Sequence, residues 1–187
     1  MKNYTVAVIV GSLRKDSLNK QLALALQKMA PAHVQFNLVD IAELPLYNQD
    51  SDAEPVVPAV QAFRDSVRAA DAVLLVTPEY NRSYPGVLKN ALDQGSRPWG
   101  QSVWAQKPAA IVGMSLGAMG TAMAQQHLRG VLAFLDMPTL NQPEVFLQAK
   151  EGFFTEDGQI GEGSHAYMQK WMDAFVAHIA RHTEHAA

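Results

Sequence analysis

Hydrophobic positions in this chain form short unbroken runs that alternate with longer segments of helical period. Tyr4 to Val10 is apolar, and its Val6–Val10 core is rich in β-branched residues, as in a strand buried on both faces. Leu18 to Met29 has the spacing of an amphipathic helix, and His33 to Val39 predicts a second strand. A Pro-rich, acidic connection, Leu44 to Pro58, leads to a helix from about Ala59 to Ala69. Ala72 to Thr77 predicts a third buried strand, stopped by Pro78, and Pro85 opens a helix that continues from Gly86 to Gln94. Pro108 to Gly113 is the fourth strand, followed by a small-residue loop, Met114 to Gly120, and a helix from Thr121 to Leu135. A weaker fifth strand is expected at Pro138 to Leu140, and the last helix at Ser164 to His182.

Strands alternating with helices predict an α/β protein whose parallel sheet is covered on both faces by right-handed crossovers. Five such units suit a three-layer sandwich with strand order 2-1-3-4-5. In that order the ligand site lies where the winding reverses, at the carboxyl ends of strands 1 and 3. The loops after strands 1, 3 and 4 should therefore carry the chemistry. No internal repeat or long linker divides the sequence, so one domain over residues 1–187 is expected.

Composition narrows the function. A content of 48% hydrophobic and 18% charged residues describes a folded globular protein. A net charge of -3 makes no electrostatic case for nucleic acid or an anionic membrane as partner. The absence of cysteine removes a thiolate nucleophile, a dithiol relay and thiolate metal clusters. No membrane-length or signal-like apolar run is seen, so the cytoplasm is the expected location and no membrane insertion is expected.

The loop after strand 1, Gly11-Ser12-Leu13-Arg14-Lys15-Asp16-Ser17-Leu18-Asn19, is built for an anion. Gly11 permits a tight turn, Ser12 and Ser17 supply hydroxyls, and the first helical N–H groups point into the loop. Arg14 adds donors matched to phosphate oxygens. Neither a Walker sequence nor a full Gly-x-Gly-x-x-Gly is present, which leaves a single terminal phosphomonoester as the suited ligand. An ordinary capped strand-to-helix turn would look similar. After strand 3, Thr77 to Gly86 is stiffened by Pro78 and Pro85 and offers Tyr80, Tyr84 and the turn-tolerant Asn81 to a flat heteroaromatic ring. After strand 4, Ser115 and Gly117 lie where backbone can approach a ligand closely. Each loop alone has a plain structural reading; three on one sheet edge favour a shared ligand.

Residues 11–19 together with Pro78-Glu79-Tyr80-Asn81-Arg82-Ser83-Tyr84-Pro85-Gly86-Val87-Leu88-Lys89-Asn90-Ala91-Leu92-Asp93 resemble the NADPH-dependent FMN reductase family, within it the bacterial quinone, chromate and azo-dye reductases. The resemblance implies a flavodoxin-like fold, bound FMN, NADPH or NADH as co-substrate, and a homodimer or homotetramer with flavin near the subunit interface. It gives Ser12, Arg14, Ser17, Leu18 and Asn19 to the FMN phosphate. Pro78, Glu79, Tyr80 and Asn81 would line the isoalloxazine, largely through backbone, and Ser115 and Gly117 would complete the ring or ribityl contacts. The family often has Asp-Trp-x-Ser-Arg after the second motif, whereas here Asp93-Gln94-Gly95-Ser96-Arg97 lacks the Trp, which bears on the dimer helix.

The expected reaction is ping-pong: hydride from a nicotinamide to the flavin, then two electrons to a quinone, chromate, azo compound or free flavin. No side chain is required as a catalytic acid or base, because the cofactor carries the chemistry. Arg82 and Tyr84 fall on the substrate side, with Arg82 offered to a 2′-phosphate; the choice between NADH and NADPH stays open. A non-enzymatic flavodoxin-type electron carrier is the rival reading, and the mild net charge and Arg14 argue against it. His178, His182 and His185 suggest a solvated helix end rather than a metal site, and Trp99 and Trp104 either border the substrate pocket or pack in a core or interface. Replacing Arg14 with Ala should weaken FMN binding by roughly 1.5–3 kcal/mol. Calorimetric titration of both proteins checks this, and an unchanged affinity would remove Arg14 from the phosphate loop.

Overall fold

The computed structural model describes residues 2–53 and 55–183. Its elements are β1 (Tyr4–Val10), α1 (Leu18–Met29), β2 (Val34–Val39), α2 (Pro58–Arg68), β3 (Ala72–Val76), α3 (Gly86–Gly95), β4 (Ala109–Ser115), α4 (Ala122–Phe134), β5 (Phe146–Gln148) and α5 (Glu162–Thr183). The five strands form one sheet in the order β2-β1-β3-β4-β5, and every pairing is parallel. The expected flavodoxin-like topology is therefore present.

Alternation along the strands divides the core between the two faces. Val6, Val8, Leu74 and Val112 point to one side and pack with Leu22 and Leu26 of α1 and Trp171 and Phe175 of α5. Ala7, Ile9, Leu75 and Ile111 point to the other and meet Phe63, Leu88, Leu92 and Leu128 of α2, α3 and α4. Each fully buried Leu or Ile contributes roughly 1.5–3 kcal/mol of transfer free energy, so both layers are held firmly. All five β3 residues are buried, whereas Gln35, Asn37 and Leu38 of β2 are exposed. That contrast separates a central strand from an edge.

The fifth strand departs from expectation. Pro138–Leu140 makes only a bridge, with Thr139 opposite Ala109, the Ala109 N–H donating to Pro138 O and the Leu140 N–H to Ala109 O, both at 2.8 Å. The chain then leaves the sheet and pairs again at Phe146–Gln148, against Gly113–Ser115. Pro143 lies in the gap and has no N–H to continue the ladder. Gln125 bridges the gap instead, donating its side-chain amide to Val145 O at 2.8 Å.

Trp104 is fully buried and donates its indole N–H to Leu92 O at 2.9 Å, which makes it a core residue. Gly95 makes room for it: a Cβ there would lie 2.5 Å from the indole ring. The Gly95–Trp104 pair thus fills the end of α3 in a sequence that lacks the family's Trp on that helix. His178 is buried, its ring Nε2 lies 2.9 Å from Pro138 O, and burial pushes its pKa down. Its ring centroid lies 4.5 Å from that of His182 at a tilt of 59°, while His185 lies outside the described residues. Among the described residues no group of three metal-ligating side chains occurs, and no helix is long and apolar enough to cross a membrane.

Candidate functional site

The carboxyl ends of β1, β3 and β4 open into a cleft of about 460 Å³. Ser12, Arg14, Ser17, Leu18, Asn19, Pro78, Glu79, Tyr80, Arg82, Ser115 and Gly117 all line it. Three segments widely separated in sequence thus meet at the reversal in strand order, as the winding requires.

At one end, the start of α1 is shaped for an anion. Ser17 is the N-cap, and its hydroxyl accepts from the Lys20 N–H at 3.2 Å. The Gln21 N–H is taken by Ser17 O, so the N–H groups of Leu18 and Asn19 are the helix donors left without an intrahelical acceptor. The Asn19 side chain is engaged elsewhere: its amide donates to Met114 O and its oxygen accepts the Met114 N–H, both at 2.9 Å. Asn19 is buried, and what it offers the cleft is its backbone. Arg14 is exposed beside these donors.

The second wall is the loop after β3. Tyr80 and Ser83 exchange backbone hydrogen bonds at 2.8 and 3.0 Å around Asn81 (φ 52°) and Arg82 (φ 67°). Positive φ at both central positions is the pattern of a type I′ turn. Asn tolerates it, and Arg82 occupies it at a cost in strain. Two side-chain contacts tie this loop to α4. The Glu79 carboxylate accepts from the Met123 and Ala124 N–H groups at 3.0 and 3.1 Å, and Ser83 Oγ lies 3.0 Å from His127 Nδ1. Glu79 therefore caps α4, and the positive helix terminus balances its charge. Its contribution to the cleft is positional, a role the sequence did not disclose because the capped N–H groups lie more than 40 residues away.

Tyr84 lies outside the cleft lining. It is half-buried against the α2–α4 core cluster, and burial pushes its phenol pKa up. Asn81 shapes the turn without itself lining the cleft.

The third wall is Ser115–Gly120. Ser115 Oγ lies 2.6 Å from Gly120 O, and the Gly120 N–H donates to Gly117 O at 3.0 Å, which curls the loop. Gly120 has φ +58°, and a Cβ there would sit 2.7 Å from the Phe146 backbone carbon, so only glycine closes the loop against β5. Leu116 and Met119 are 75% and 59% exposed on the cleft rim, opposite Tyr80 at 47%. One end of the cleft is thus cationic and rich in N–H donors, and the other is apolar and flat.

The sequence matches the family model for NADPH-dependent FMN reductase over residues 4–152. The chain belongs to that family. This NADPH-dependent FMN reductase relative is 54% identical over 176 residues to a 2-hydroxy-1,4-benzoquinone reductase from Burkholderia sp, covering 93% of this chain and 95% of that one. It is 48% identical over 141 residues to a quinone reductase from Escherichia coli, covering 74% of each chain. Among solved structures, the flavoenzyme NAD(P)H:(acceptor) oxidoreductase FerB from Paracoccus denitrificans superposes with a TM-score of 0.92 at 44% identity, over 96% of this chain and 98% of that one. A flavodoxin from Pseudomonas aeruginosa shares the fold at 19% identity and a TM-score of 0.58.

The Asn19–Met114 pair makes the cleft sensitive to a buried change. Asn19→Leu leaves a buried N–H and a buried carbonyl without partners and should cost about 2–4 kcal/mol in urea unfolding. FMN affinity should fall with it, because the helix donors lose their fixed position. Unchanged stability would show that the pair is dispensable.

Proposed function

We propose that this oxidoreductase is an FMN-dependent NAD(P)H:quinone reductase whose cofactor lies in the cleft between β1, β3 and β4. The observation that carries the reading is the polarity of that cleft: two unpartnered helix N–H groups and Arg14 at one end, an aromatic and apolar rim at the other. That arrangement fits a molecule with a terminal phosphate and a planar ring. Leu18 and Asn19, through their N–H groups, with the Ser12 and Ser17 loop and Arg14, hold the phosphate. Pro78, Glu79, Tyr80 and Asn81 shape the ring wall, and Ser115 and Gly117 present backbone to the ring edge. Donors aimed at an edge that gains negative charge on reduction stabilise the reduced state.

Held by these residues, FMN would supply the hydride-accepting and two-electron-donating chemistry, with NADPH or NADH as donor and ping-pong order as the expected sequence. Arg82, exposed on its strained turn, meets the nicotinamide nucleotide at the cleft mouth. Quinones are the acceptor class, supported by the names of the relatives; chromate, azo compounds and free flavin fit the same open face. A cytoplasmic setting supplies NAD(P)H. We read the protein as one FMN-binding domain that works as a homodimer or homotetramer. The support is a groove of about 720 Å³ along α3 and α4, where Trp99 and Phe134 are 79% and 78% exposed. The flavodoxin-type carrier shares the fold but needs no nicotinamide site.

The test is anaerobic. FMN-loaded protein mixed with NADPH or NADH should lose its visible flavin absorbance within a turnover and regain it when a quinone is added. Flavin that stays yellow with both nucleotides would favour the electron-carrier reading.

A further inference from the structure

The phosphate loop has a second cleft on its other side. About 380 Å³ opens above the carboxyl ends of β1 and β2, and Ser12 and Arg14 line both it and the flavin cleft. The loop is a ridge between two compartments, and an anion held at its crest is reachable from either. The proposed flavin site leaves the second compartment empty of any role.

Its lining combines cations, a carboxylate and apolar surface. Lys15 and Lys20 add two cations to Arg14 on one wall. Leu13 and Leu38, 50% and 40% exposed, face the same space and offer apolar surface for a flat base. Asp40 follows β2 directly, and its Oδ1 accepts the Ala42 N–H at 2.9 Å, which fixes the carboxylate. Among the described residues nothing donates to Oδ2. In Rossmann dinucleotide folds an acidic side chain roughly 20 residues beyond the phosphate loop binds a ribose hydroxyl, and Asp40 offers the same chemistry here without the glycine fingerprint. Cations near the ridge, a carboxylate at the end of β2 and two exposed leucines match phosphate, ribose and base in turn.

The geometry points to a second nucleotide subsite over the β1 and β2 ends, which takes the adenosine-phosphate half of a dinucleotide. This inference rests on the reading of the first cleft as the FMN site. Two dinucleotides carry that half here: FAD, with its pyrophosphate astride the Ser12–Ser17 ridge, or NAD(P)H anchored by its adenosine end.

The probe is 5′-AMP, titrated calorimetrically into the FMN-loaded protein and into its Lys20→Glu and Asp40→Ala variants. Both changes are on exposed side chains. AMP should bind the parent, and each variant should bind it at least 10-fold more weakly while retaining FMN with unchanged affinity. Two further arms separate the sources. If FAD fills the subsite, apoprotein binds FAD at least 10-fold tighter than FMN, and Lys20→Glu abolishes the difference. If NAD(P)H fills it, AMP competes with NAD(P)H and Lys20→Glu raises its KM without lowering kcat. No AMP binding to the FMN-loaded parent, or AMP binding unchanged in both variants, would overturn the subsite. Failure of the parent to bind FMN would instead strike the first-cleft reading.

Discussion

Everything at the carboxyl edge of the sheet depends on Asn19. Its side chain gives and takes one hydrogen bond with the Met114 backbone, joining the first turn of α1 to the last residues of β4. Those are the two walls of the cleft farthest apart in sequence. With the amide engaged this way, the start of α1, whose Leu18 and Asn19 N–H groups lack an intrahelical acceptor, is fixed at the cleft. Burial makes the arrangement demanding, because a buried polar group without its partner costs more than the bond itself contributes. One side chain thus couples the fold to the binding geometry.

The other walls follow the same design, in which polar side chains fix the backbone that lines the cleft. Glu79 spends its charge on the start of α4, Ser115 on closing its own loop, and Ser17 on capping α1. A cofactor that supplies its own reactivity asks the protein for position and for donors of fixed direction. Asn19, Glu79, Ser115 and Ser17 accordingly serve as braces for backbone.

Fold and site were legible in the sequence to different depths. Unbroken apolar runs such as Val6–Val10 and Ala72–Val76 identify buried parallel strands because both faces are covered, and their alternation with helices determines the order of winding. Pro138–Leu140 misled because a strand at the sheet edge is interrupted by Pro143, and a run of three residues cannot tell a bridge from a strand. Trp104 had two readings in the sequence, and its pairing with Gly95 decides for the core. In the cleft, the segments themselves were readable from Gly11–Asn19, Pro78–Gly86 and Met114–Gly120. The roles within them were less so, since the partners of Asn19 and Glu79 are 95 and 44 residues away. Tyr84 looked like a ligand-facing aromatic, and only packing shows it half-buried against the core of the α2–α4 layer.

On the proposed reading, the α1 terminus and Arg14 form a phosphate site rather than an ordinary capped turn. The direct measurement is calorimetric titration of the apoprotein with FMN and with riboflavin, which differ only by the phosphate. Two or more charge-assisted bonds at roughly 1.5–3 kcal/mol each predict FMN to bind at least about 100-fold tighter. Equal affinity for the two flavins would show that the α1 terminus and Arg14 form no phosphate site.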